Sequence, residues 1–139
     1  LFSNVDAILN NVDDENYKLC KECLFDTLDA LEQSSYKALQ YVQSELVTRI
    51  KTKEAARLYL DLLAMAFKDI LLLQMDQEIT IKMYQGTLSQ IAKSLKNIDK
   101  IYLEIMLSRG KIESNVSISL LLEHLFIYII NGGNLNGKQ

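Results

Sequence analysis

Few residues in this chain have the type and spacing to do chemistry. Cys20 and Cys23, the two cysteines, form a C-x-x-C pair. Such a pair can be half of a zinc site or a redox motif. Tetrahedral zinc wants four ligands, and the single histidine, His124, lies far along the chain. The redox version wants a strand-to-helix turn, whereas Cys20 shares helical spacing with Tyr17, Leu24 and Leu28. The pair therefore reads as two reduced, partly buried thiols, in keeping with a cytosolic compartment. His124 stands beside Glu123, but adjacent helical residues point about 100° apart and do not face each other. Asp61 and Asp69 could pair as carboxylates, yet nothing in the sequence gathers a pocket around them. Gly86 stands alone and no G-K-[ST] follows it, so no phosphate loop is present. Nucleophile elbow, H-E-x-x-H and calcium-loop patterns are missing as well. Asn115-Val116-Ser117 matches a glycosylation acceptor, which means nothing in a cytosolic chain. The expectation is no catalytic residue, no cofactor and no metal.

What remains is the scaffold. The 139 residues fit one domain, nearly half of them apolar, which is enough for a real core. There is no proline, and the five glycines all lie at or after position 86. Without these breakers, and with Leu, Ile, Lys, Glu, Asp, Ala and Gln dominant, the fold class is all-α: a single bundle of about six to seven helices. The chain opens on Leu1, which reads as a piece of something longer. Asp6, Asp13 and Asp14 do not suit a secretory leader. Charges interrupt both of the most apolar stretches, so neither reads as a membrane span, and the protein reads as soluble.

Periodicity predicts a short helix over 4–9 within a lead-in of 1–14, a helical domain over 15–131, and a flexible tail over 132–139. Inside the domain, an amphipathic helix over 15–32 turns Tyr17, Cys20, Leu24, Leu28 and Leu31 inward. The next, capped by Ser34 or Ser35 and reaching Arg49, buries Leu39, Val42, Leu46 and Ile50. The helix over 52–74 is apolar almost all round. Its polar stripe is narrow: Glu54, Arg57, Asp61 and Lys68 fall within about 60° of one another on a wheel. It should be the central helix, and Asp69, off that stripe, should need a partner. The stretch 75–85 reads as an ordered loop. Helices then follow over 87–96, over 98–109 with Asn97 as cap and Gly110 as stop, and over 117–130.

The last of these is again apolar on most sides. Two such helices in a small domain leave two readings: the bundle swallows both, or the second presents part of its surface to another subunit. Charge is unevenly spread, with net −6 over residues 1–35 and net +4 over 82–111. That separation could order subunits or approach a phosphate backbone, or it could be plain solvated surface. At net −3 the domain should not bind DNA strongly by itself.

Three segments resemble a known family. Arg57-Leu58-Tyr59-Leu60-Asp61-Leu62-Leu63-Ala64-Met65-Ala66-Phe67-Lys68-Asp69-Ile70-Leu71-Leu72-Leu73-Gln74 is similar to the central collar helix of bacterial clamp-loader subunits of the delta-prime kind. That helix ends in Arg-Asp-Leu-Leu-Leu-Leu-Lys; here Lys68 stands for the arginine and Gln74 for the lysine. Asn115, Leu120, Leu122, Glu123 and Leu125 match the family's last helix, while Ser117 replaces an asparagine and Leu121 an alanine. Tyr36-Lys37-Ala38-Leu39-Gln40-Tyr41-Val42 resembles a further family segment. The likeness follows the chain in order and spacing, though leucine-rich helices are common.

The resemblance implies a clamp-loader collar fold and an oligomerisation role. A AAA+-like module would precede the domain. Five such domains would close a ring with the gamma/tau and delta subunits of DNA polymerase III. The loader as a whole would handle the sliding clamp and primed DNA. Neighbour contacts would come from Leu121, Leu125, Phe126, Tyr128 and Ile129 of the last helix and from Lys100 and Arg109 of the one before. Arg57, Asp61, Asp69 and Glu123 would be structural polar groups. A second expectation is a helical ligand-binding or dimerisation module of a transcription regulator.

Overall fold

The structure, a computed structural model, describes residues 14–79 and 84–132. The expected helix over 4–9, most of the tail, and positions 80–83 of the expected loop lie outside the described residues. Six helical runs account for nearly all the rest, and no strand occurs among the described residues. They are α1 (Asp14–Gln33), α2 (residues 35–49), α3 (Lys53–Gln74), α4 (Gln85–Ser94), α5 (Ile98–Lys111) and α6 (Ile118–Gly132).

α3 is the hub. It packs against α1, α4 and α5; α2 lies on α1, and α6 lies against α5 and α2. Tyr59, Leu60, Leu63, Phe67 and Ile70 of α3 are fully buried, as the all-round apolar sequence requires. Its expected polar stripe is the side that meets water: Glu54 and Lys68 are exposed, Arg57 and Asp61 half-buried. Asp69 is buried and is not left without a partner. Thr52 caps the helix, its hydroxyl accepting from the Ala55 amide at 3.1 Å.

α2 departs from a regular helix. Ser34 caps its start by accepting from the Lys37 amide, and the run is α-helical over Ser35–Tyr41, π-helical over Val42–Leu46 and α-helical again over Val47–Arg49. The cause is visible in the spacing. Ala38, Val42, Leu46 and Ile50 are all buried and stand four apart. On a helix of 3.6 residues per turn such a row drifts about 40° at each step, and the wider π turn keeps it facing the core. Ala38 takes the inward place expected of Leu39, which is half-buried.

Two end signals read differently from expectation. Asn97 does not cap α5 with its side chain. It adopts a left-handed backbone (φ 58°, ψ 39°), which asparagine tolerates better than most residues. Its amide donates to the Gly132 carbonyl at 2.9 Å, so it ties the start of α5 to the end of α6. Gly110 does not stop α5 either, which continues through Lys111.

Candidate assembly surface

The two thiols are the residues of this chain best suited to chemistry by type. Cys20 and Cys23 sit inside α1 and are completely buried, not partly so. The Cys20 thiol donates to the Ala55 carbonyl at 3.2 Å. Burial, with Cys23 adding to it, pushes its pKa up to about 12. Burial raises the Cys23 thiol too. A protonated, enclosed thiol is a poor nucleophile and a poor ligand. Beside them Thr27 donates to the Cys23 carbonyl at 2.6 Å and shares a 2.8 Å hydrogen bond with the buried Tyr59 hydroxyl. These groups knit α1 to α3. Among the described residues no three His, Cys, Asp or Glu side chains come together as metal ligands would.

Of the expected structural polar groups, Arg57 and Asp61 join one network at the edge of α3, while Asp69 is buried outside it. Arg109 of α5 donates to Asp61 at 2.8 Å, Arg57 donates to Glu113 at 3.0 Å, and Arg109 reaches Glu113 at 3.8 Å. These contacts fasten the end of α5 to the middle of α3. Glu123 is half-buried on α6 and stands apart from them.

The expected neighbour contacts need correction. Phe126 and Ile129 are 0 % exposed, and Leu125 is nearly as enclosed. With Leu122 they are the inward face of α6, and a second subunit cannot reach them. The sequence misleads here because most residues of α6 are apolar, and only His124 and Asn131 mark the solvent side. Arg109 is engaged within the domain by Asp61 and Glu113. Leu121 and Tyr128 are half-buried at the margin, and Lys100 is exposed.

Other apolar residues do face outward. On α6, Leu120 is 54 % and Ile127 41 % exposed, on one stripe with the exposed His124 between them. On α5, Leu103 and Leu107 are 61 % and 60 % exposed, with Met106 beside them. The α5 group could have been found in the sequence. On a wheel Leu103 lies roughly 180° from the inward Ile98, Ile101 and Ile105. Scattered exposed leucines need no explanation, but Leu103, Met106 and Leu107 stand at i, i+3 and i+4 on α5 and so share one face, while on α6 Leu120 and Ile127 flank His124. Among the described residues no helix is long and apolar enough to cross a membrane.

Fold and surface together define an all-helical bundle whose hub is closed and whose last two helices keep large apolar residues on their outer sides. Compared with known proteins, the chain matches no family model, no curated protein and no solved structure.

Proposed function

We propose that this chain is an oligomerisation domain of the clamp-loader collar kind, from a delta-prime-like subunit of bacterial DNA polymerase III. The observation that carries this reading is the outer stripe of α6. After Leu122, Leu125, Phe126 and Ile129 have filled the inner side, Leu120 and Ile127 remain on the surface. A helix with an apolar inner face and exposed apolar residues beside His124 on its outer face suits a ring of side-by-side domains, whose interfaces mix apolar and polar contacts. The likeness of α3 and α6 to the family's central and last collar helices supports the same reading. So does Gln74, which stands where the family has lysine. Its amide donates to the Ala92 and Leu95 carbonyls at the end of α4, a place where a lysine would serve as well.

In this reading the domain performs no catalysis. ATP-driven motion belongs to a AAA+-like module in the intact protein, and the gamma/tau and delta subunits are the partners. Contact with the sliding clamp and primed DNA runs through the whole complex. The test is mixing with gamma/tau and delta subunits, followed by size-exclusion chromatography. The domain co-elutes with them, and Leu120→Glu together with Ile127→Glu releases it while the fold persists. A folded domain that elutes alone from every subunit contradicts the reading.

A further inference from the structure

α5 is apolar on two opposite sides. Ile98, Ile101 and Ile105 are buried against the bundle, while Leu103, Met106 and Leu107 face away from it. Along the outer side, Asp99, Leu103, Leu107 and Lys111 follow one another every four residues. Such a row is one ridge of the helix surface. Ridges of this kind from two helices interdigitate at a crossing of about −50°, the commonest packing class.

The order along the ridge is acidic, apolar, apolar, basic. Turned end for end, it is its own complement. Leu103 meets Leu107 of a second copy, and Asp99 meets Lys111 of that copy at both ends. At 1.5 Å per residue the two charged ends lie about 18 Å apart. An apolar centre is then closed at each rim by an ion pair, as an isologous interface requires. Asp99 and Lys111 are exposed, and neither forms a salt bridge within the described residues. Gly110 lies on the same side, with nothing within 4 Å of where a Cβ would stand. Its bare backbone lets a second helix approach closely. Lys100, on the flank, falls opposite Gly110 of the second copy and meets no like charge there.

We infer that α5 is the seam of a two-fold dimer of this chain, its outer ridge pairing with the same ridge reversed. The ridge selects a second copy because its charge order is satisfied by its own reverse. A ridge of a few side chains offers far fewer than the roughly 20–30 residues a side of a standard stable interface, so dimer and monomer exchange. The inference does not rest on the collar reading, whose surface is on α6.

Sedimentation velocity over a micromolar to near-millimolar series tests it. The mass rises from 15.9 kDa towards twice that value. Leu107→Glu holds the chain monomeric throughout, with its helical circular dichroism unchanged. Asp99→Lys alone weakens association about tenfold by setting lysine against lysine at both rims. Asp99→Lys combined with Lys111→Asp restores it. A monomer at every concentration overturns the inference, as does a dimer indifferent to Leu107→Glu or a double exchange that fails to rescue. Subunit co-elution through Leu120 and Ile127 is read separately, so either surface can fail without the other.

Discussion

At the scale of single residues, burial decides what the two cysteines can do. An enclosed thiol whose pKa is pushed up to about 12 stays protonated and out of reach at neutral pH. Labelling by a thiol reagent should therefore be slow in the native protein and complete on unfolding, for both cysteines together. Fast native labelling would contradict the packing of α1. The same shift has a sign in stability. In the unfolded chain Cys20 ionises near its ordinary value of 9.0, and in the folded chain only near 12. Its contribution is thus intact below about pH 9 and is lost as pH rises through that window. Tyr59, raised mainly by burial, acts in the same direction. Thermal midpoints should fall on the alkaline side, and Cys20→Ala should make that decline shallower. Tyr59→Phe removes the hydroxyl bonded to Thr27 while Thr27 keeps its bond to the Cys23 carbonyl. Denaturant titration should show a loss of about 1 kcal/mol.

The elements differ in how much of the fold depends on them. Phe67 is fully buried in α3, and Phe67→Ala should cost about 3–5 kcal/mol. Leu107→Ala on the outside of α5 should stay within about 0.5 kcal/mol. If the two cost the same, the division into hub and outer face is wrong. Arg109→Ala cuts α5 from α3 at Asp61. Its side chain is 30 % and that of Asp61 25 % exposed, so the loss should be about 1 kcal/mol, shrinking as salt rises. These contrasts also mark what could be read before folding. α3 is plain in the sequence: Glu54, Arg57, Asp61 and Lys68 fall on one narrow stripe, and apart from the terminal Lys53 and Gln74 everything off it is apolar or, like Asp69, enclosed. α6 is marked more faintly: only His124 and Asn131 share the outer stripe with Leu120 and Ile127, and Leu125, Phe126 and Ile129, expected at a neighbour contact, lie inside. The π turn of α2 was not legible, since a row spaced by four is ordinary on an α-helix and the expected inward residue was Leu39, where the structure buries Ala38. The second role of Asn97, tying α5 to the end of α6, depends on the chain returning from far away, which no local pattern reveals.

For the molecule as a whole, the hub satisfies itself and the last two helices do not. α3 is covered by its own neighbours, yet α5 and α6 keep Leu103, Leu107, Leu120 and Ile127 in water. Exposed apolar surface of this kind is stabilised when another chain covers it. The central claim is that such a chain covers α6. Hydroxyl-radical footprinting read by mass spectrometry tests it most directly, applied to the dilute domain alone and to its mixture with gamma/tau and delta subunits. Leu120 and Ile127 should be oxidised readily in the dilute domain and protected in the mixture, while Phe126 and Ile129 stay protected in both. Equal oxidation of Leu120 and Ile127 with and without the subunits would contradict the account.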